Sequence, residues 1–243
     1  MSDQGEIPHR QSVDLAQDFD LIETLRWTRE GGFYLLDEHI ARLGASAAAL
    51  GFRFAAGDMR AALAAETAAA PADVLRVRLT LARDGALATS AAAIALPKTG
   101  AVWRVAIAPT RFDSADPLLR HKTTWRALYE DALAAAQKAF GADEVIFRNE
   151  RDELCEGARC NLFVADGETL LTPPLACGLL PGVLRAHLLN SGRAREAVLR
   201  LSDLAPNRAL FMGNSVRGLV AARVIGASEG AAAEPSSNGE RAG

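Results

Sequence analysis

The stretch Leu119-Arg120-His121-Lys122-Thr123-Thr124-Trp125-Arg126 holds the residue on which the reading of this chain turns. Lys122 stands just ahead of a helix expected over 124–140, not in the middle of a helical face. With Arg120 and His121 beside it, its ammonium form is disfavoured by like charge. That lowers its pKa and favours the neutral amine that Schiff-base chemistry requires. The same local context also fits an ordinary solvated loop lysine. The lysine count narrows the field. Lys98, Lys122 and Lys138 are the only lysines among 27 basic residues, and the other 24 are arginines, which stay charged. Lys98 falls in a Pro-Lys-Thr-Gly turn and Lys138 on a polar helix face, which leaves Lys122.

Around that stretch lie 243 residues, 49% hydrophobic and 23% charged, with a formal net charge of −3. This is enough chain to bury a large core, as one big domain or two small ones, and the composition argues against a disordered or collagen-like chain. The near-neutral charge gives no electrostatic reason to expect nucleic acid or a membrane surface as partner. No apolar run follows a basic start and no long uncharged apolar span occurs, so a cytoplasmic location is expected. The three cysteines, Cys155, Cys160 and Cys177, read as free buried thiols. Cys155 and Cys160 have no second Cys/His pair at ligand spacing, so no metal site is expected.

Working outward, residues 18–36 predict two strands joined at Glu30-Gly31-Gly32, and Asp37 is the expected N-cap of the next helix. Ile40, Leu43, Ala47 and Leu50 fall on one face of that helix, which Gly51 closes. A second, alanine-rich helix is expected over 58–70 from an Asp58 cap. In 74–81 (VLRVRLTL), Leu75, Val77, Leu79 and Leu81 alternate with Arg76, Arg78 and Thr80, the pattern of a half-buried strand. Partner strands follow at 87–96 and 102–108. The proline-bearing stretch 109–121 breaks the periodicity and is the expected connection between domains. Beyond the 124–140 helix, strands are expected near 143–148, 153–156, 160–165 and 168–172, then a short helix from Gly182, a strand at 209–213 and a helix at 216–224. The whole is α+β: a small N-terminal α/β domain over 1–108, a larger C-terminal domain over 115–226 carrying Lys122, a polar lead-in over 1–17 and a low-complexity, disordered tail over 227–243.

The chain has no G-x-G-x-x-G, no Walker-type phosphate loop, no G-x-S-x-G and no H-E-x-x-H, which removes those enzyme classes. Several weaker features remain. Glu156 lies in a small-residue turn between apolar strands, either as a solvated turn residue or as a buried anion aimed at a cation. Leu180-Pro181-Gly182-Val183-Leu184-Arg185 opens a helix whose free N–H groups and dipole suit phosphate, although Pro-Gly before a helix is also ordinary turn chemistry. Arg42 stands off the apolar stripe of its helix, as a surface charge or a phosphate ligand. Gly213-Asn214-Ser215 at a strand end offers small hydrogen-bonding groups.

In order and spacing, Glu23-Thr24-Leu25-Arg26, His39-x-x-Arg42-Leu43, His121-Lys122-Thr123-Thr124-x-Arg126, Glu156-Gly157-x-x-x-Asn161-Leu162-Phe163, Leu180-Pro181-Gly182-x-x-Arg185 and Gly213-Asn214-Ser215 resemble the fold-type IV pyridoxal-phosphate enzymes. That family holds branched-chain and D-amino-acid aminotransferases and 4-amino-4-deoxychorismate lyases. The resemblance spans residues 18–225 and is nearest the lyase branch, through Leu119–Arg126, Leu171–Arg185 and Gly213–Leu219. It implies the two-domain fold of D-amino-acid aminotransferase and pyridoxal 5'-phosphate as cofactor. It further implies that Lys122 binds the cofactor covalently and acts as general acid/base, while Glu156 pairs with the pyridine nitrogen. Arg42, the Gly182-Val183-Leu184 backbone and Ser215 would hold the phosphate with Asn214 nearby, and Asn161 would orient the turn. Arg111, Arg120 and Arg217 are candidates for the substrate carboxylates.

The lyase branch implies conversion of 4-amino-4-deoxychorismate to 4-aminobenzoate and pyruvate, a step of folate biosynthesis, in a homodimer with a possible functional link to aminodeoxychorismate synthase. The alternatives are a class IV aminotransferase acting on branched-chain or D-amino acids with a 2-oxo acid, and a cofactor-binding homologue without turnover. Two departures stand out. Residues 1–17 are too short and polar for the full strand pair that usually precedes the Glu-Thr-x-Arg motif. Leu184 also stands where transaminase relatives commonly carry a phosphate-gripping Thr.

Overall fold

The alternation at 74–81 builds the middle of a four-stranded antiparallel sheet. In the computed structural model, which describes residues 19–226 except 71 and 206, the first half runs β1 (Leu21–Thr28), β2 (Gly32–Phe33), α1 (Leu36–Leu50), α2 (Ala56–Thr67), β3 (Val74–Leu81) and β4 (Leu87–Ala93). The sheet order is β2-β1-β3-β4. Leu75, Val77, Leu79 and Leu81 are all buried, packed with Leu43 and Ala47 of α1 and Met59 and Leu63 of α2. Gly51 ends α1 in the left-handed region as expected (φ 72°). The N-caps differ from expectation. Leu35, itself left-handed (φ 55°), caps α1, and Asp37 lies in the first turn, where it complements the helix dipole and pairs with Arg60. Asp58 likewise lies inside α2, which starts at Ala56.

The second half comprises β5 (Val102–Phe112), α3 (Ala127–Phe140), β6 (Glu144–Asn149), β7 (Leu154–Gly157), β8 (Asn161–Asp166), β9 (Thr169–Thr172), α4 (Val183–Asn190), β10 (Ala194–Glu196), β11 (Leu210–Asn214) and β12 (Gly218–Ile225), with 3-10 turns at Pro117–Arg120, Leu175–Cys177 and Leu201–Leu204. These strands form one eight-stranded mixed sheet in the order β10-β9-β8-β11-β12-β5-β6-β7. Leu133, Val145 and Phe147 belong to one buried cluster, and Ile146, Leu162, Val164 and Met212 to another. Cys155, Cys160 and Cys177 are buried and free.

Two local readings are corrected, and one strand is added. Residues 216–224, expected as a helix, form β12. The Asn214 side chain accepts the Val216 and Arg217 N–H groups (3.0 and 2.8 Å), and Gly218 at φ +75° reverses the chain. β12 then pairs antiparallel with β11 and parallel with β5. Partners on both sides satisfy its backbone and override the helix propensity of Ala221 and Ala222. β5 runs four residues past its expected end to Phe112 and is paired on both sides in the larger sheet. Its register with β6 shifts between Ile107 and Arg111, around Pro109, which has no N–H to donate. β10, three residues with two exposed charges, carried no sequence signal. The lead-in over 1–17, with the N-terminal strand pair, and the tail from 227 lie outside the described residues.

One seam matters for the site. Ile22 N–H donates to the Lys122 carbonyl (2.8 Å), Thr124 N–H to the Asp20 carbonyl (2.8 Å) and Asp20 N–H to the Thr124 hydroxyl (3.0 Å). Residues 122–124 thus lie as a short added strand along the start of β1, and the lysine stands where the two halves meet. The small-sheet core is the support for that seam. Leu79→Ala, at a fully buried position, is expected to cost about 2–5 kcal/mol. Urea unfolding should show a lower midpoint with an unchanged slope.

Candidate active site

A cavity of about 560 Å³ opens beside this seam, walled by β1 and β3 on one side and by the 118–126 segment, the β7–β8 turn, the start of α4 and the β11–β12 turn on the other. Lys122, Arg42, Glu156, Asn161, Gly182, Val183, Asn214, Ser215 and Arg217 all line it.

Burial, followed by the guanidinium charges of Arg126 and Arg42, pulls the Lys122 amine down to about 7, against the opposing carboxylates Glu23 and Glu156. The cations that weigh on it are therefore brought by the fold, not the flanking Arg120 and His121 that the sequence suggested. Near neutrality this amine is available both as a base and as a nucleophile.

Glu156 lies at the β7–β8 turn, buried. It accepts from the Tyr129 hydroxyl (3.2 Å), the Asn161 amide (3.5 Å) and the Leu180 N–H. Burial nevertheless dominates and pushes its carboxyl up to about 8. The turn beneath it is held by a second buried carboxylate: Glu144 accepts the N–H groups of Ala158 (2.9 Å) and Arg159 (3.1 Å). Arg126 closes the gap between Lys122 and the turn by donating to the Ala158 carbonyl and lying 4.8 Å over the Tyr129 ring.

At the other end of the cavity, α4 begins without a side-chain cap. Its first-turn N–H groups, those of Val183 and Leu184 among them, have no intrahelical acceptor. Gly182 is required there: a Cβ would stand 1.8 Å from Asn161 Oδ1. Arg42 is held by Glu23 through two hydrogen bonds (Nε 2.9 Å, Nη2 2.6 Å) and reaches the Pro181 carbonyl with Nη1 (3.3 Å). Ser215 is buried at the neighbouring turn. The Asn214 side chain lines the cavity, but its carbonyl oxygen is committed to Val216 and Arg217 and its amide to Arg159 O and Cys160.

Some expected residues are not brought together. Arg111 lies outside the cavity, bound to Asp152 (2.5 Å) and the Asn149 carbonyl (3.3 Å). Arg120 faces a separate hollow between α1 and α4. Leu184 does not line the cavity, and its side chain packs with Phe163 and Leu188. Conversely, Arg76 and Arg78 of β3 line the cavity, and the side chain of neither forms a hydrogen bond or ion pair with another described residue. The alternation had marked them as the polar face of a strand. It could not show that another wall stood opposite. Arg217 joins them from the β11–β12 turn, with Nη1 on the Ala95 carbonyl (3.1 Å).

The family model described as amino-transferase class IV matches residues 20–225. The chain belongs to that family. A solved structure of a Mesorhizobium loti protein provisionally named an amino-acid aminotransferase is similar at 44% identity, covering 86% of this chain and 100% of that one, with a TM-score of 0.81. Another, provisionally named 4-amino-4-deoxychorismate lyase, shares 27% identity over 86% of each chain with a TM-score of 0.72. A Schizosaccharomyces pombe protein provisionally named aminodeoxychorismate lyase is 24% identical over 205 residues, 83% of this chain and 87% of that protein. The α+β architecture is that of the fold-type IV enzymes, and the class IV family is pyridoxal-phosphate dependent. The residues of this class IV enzyme fit that cofactor: a lysine amine poised near 7, a buried carboxyl across the cavity, and uncapped helix amides beside an arginine, at a glycine that no side chain could replace.

Two outcomes test this geometry. Gly182→Ala must displace Asn161 and disturb Glu156 with it. It is expected to lose most cofactor retention, read as near-visible absorbance after dialysis. The rate at which apoprotein takes up pyridoxal 5'-phosphate needs the neutral amine, so it should fall as pH drops through about 7. Arg126→Gln removes a cation that depresses the lysine and should move that limb to higher pH.

Proposed function

We propose that this class IV enzyme is a lyase converting 4-amino-4-deoxychorismate to 4-aminobenzoate and pyruvate. The observation that carries this reading is the pair Arg76 and Arg78, cationic side chains without a partner among the described residues, in the same cavity as Lys122 and joined by Arg217. Such a wall suits a substrate with two carboxylates and one amino group better than a branched-chain amino acid with one carboxylate.

Bound pyridoxal 5'-phosphate supplies the electron sink that makes the ring proton beside the substrate nitrogen removable. Lys122 takes that proton with its amine. The enolpyruvyl oxygen departs with the electron pair of its bond to the ring, the ring becomes aromatic, and protonation of the enol yields pyruvate. Glu156, whose oxygens are fixed by Tyr129 and Asn161, would pair with the ring nitrogen of the cofactor. Arg42, the first turn of α4 and Ser215 take the phosphate end. Arg76, Arg78 and Arg217 hold the carboxylates and so aim the ring proton at Lys122.

Purified protein given enzymatically made aminodeoxychorismate is expected to release pyruvate and 4-aminobenzoate in equal amounts without a 2-oxo acid. Arg76→Ala and Arg78→Ala should each raise KM about tenfold with a smaller change in kcat. A second reading draws on the 44% identity to the Mesorhizobium loti protein: a class IV aminotransferase whose arginines receive a dicarboxylic 2-oxo acid. Amino transfer to 2-oxoglutarate with no pyruvate from aminodeoxychorismate would establish that reading instead.

A further inference from the structure

β1 places a carboxylate in an apolar row. Leu21, Glu23 and Leu25 share one face of the strand, and all three are buried at 1% exposure or less. A leucine at 23 would continue the core at no electrostatic cost, whereas a buried carboxylate must be matched by strong partners. Two come from α1, one helical turn apart and so on one side of the helix: His39 and Arg42. His39 Nδ1 lies 2.5 Å from Glu23 Oε2, and because the ionised carboxylate only accepts, that nitrogen carries the proton. His39 is fully buried, and its Nε2 has no hydrogen-bond partner among the described residues. Burial would raise the Glu23 carboxyl, but the Arg42 guanidinium and the His39 ring outweigh it and hold it at about 2.

Neither Glu23 nor His39 lines the cavity; Arg42 does. Glu23 occupies the Nε–Nη2 edge of the guanidinium, and the Pro181 carbonyl, one residue before Gly182, takes Nη1. His39 shares Oε2 with Arg42 and so stops the carboxylate from turning away. The plane of the guanidinium is therefore set from both halves of the molecule, and its free N–H groups share the cavity with the uncapped amides of α4.

We infer that the buried Glu23–His39 pair is a positioning unit for Arg42, setting that guanidinium to receive the phosphate of the cofactor. The inference rests on the class IV cofactor reading. It gives Glu23 and His39 no contact to the reacting atoms, and their effect through Arg42 falls on the phosphate group.

The test compares apoprotein titrated with pyridoxal 5'-phosphate and with pyridoxal, which lacks the phosphate, both followed by near-visible absorbance. Wild type should favour the phosphorylated form. Glu23→Gln and His39→Leu should shrink that preference, read as the ratio of the two affinities, roughly tenfold or more; the lost Glu23 charge acts on the Lys122 amine for both ligands alike and cancels in the ratio. His39→Asn keeps a donor near the Nδ1 position and should restore most of the preference. The double variant Glu23→Gln/Arg42→Ala should be no worse than Arg42→Ala alone, because Glu23 acts through Arg42. If Glu23→Gln does not fold, the two His39 variants make the same comparison. A preference that survives in the single variants, a loss that is equal for pyridoxal, or additive losses in the double variant would overturn the inference while leaving the cofactor reading standing. No near-visible band in wild type would overturn both.

Discussion

The position of Lys122 depends on a short backbone ladder between residues 122–124 and the first residues of β1. Two backbone hydrogen bonds and one to the Thr124 hydroxyl join the segment that carries the lysine to Asp20 and Ile22, at the start of the other sheet. A loop residue between two sheets would otherwise be the least ordered part of the molecule. Here it is made part of a sheet edge, next to the fully buried Leu21 and Leu25. The ladder also explains why a cavity exists at all. The two sheets meet along this seam and diverge from it, so the polar face of β3 looks across a gap at the β7–β8 and β11–β12 turns.

Charge around the seam follows from the same arrangement. Arg42 and Arg126 approach Lys122 from opposite halves, and Glu23 and Glu156 do likewise. In water such a set would leave a lysine near its ordinary value. Burial tips the balance, because it penalises the ammonium first and strengthens every neighbouring charge. It also drives Glu156 in the other direction, towards its protonated form. Two groups with opposite charge preferences are thus both moved towards neutrality in one enclosed space, which is a functional arrangement more than a stabilising one.

Much of this was legible in the sequence because it is local. The alternation of β3, the glycine that closes α1 and the Pro-Gly entry to α4 each depend on a few adjacent residues, and each lies where those residues imply. β12 was not legible, because Gly-Leu-Val-Ala-Ala-Arg-Val-Ile is compatible with either state until β5 and β11 flank it. The site divides in the same way. Glu156, Asn161 and Gly182 stand in turns whose spacing is recognisable. Arg76 and Arg78 were visible only as a polar face, and Glu23 only as one letter of a motif. What Arg78 faces and what Glu23 touches are set by contacts between residues apart in the chain, such as Glu23 and Arg42, separated by 19 positions. Arg111, chosen from sequence as a carboxylate ligand, shows the converse: Asp152, 41 residues further on, already binds it.

The preference of this chain for arginine gives the scarcity of lysine a structural meaning. Around the cavity stand Arg42, Arg76, Arg78, Arg126, Arg159 and Arg217, all cations that keep their charge when desolvated. A lysine at the partly buried positions of Arg42, Arg78, Arg126 or Arg217 would drift towards neutrality and compete with Lys122 as an amine. Guanidinium groups supply positive potential for phosphate and carboxylates without that competition. Lys98 and Lys138 are both solvent-exposed and away from the cavity. Lys122 is therefore the one lysine that lines the cavity, so a carbonyl compound bound there would meet a single nucleophilic amine.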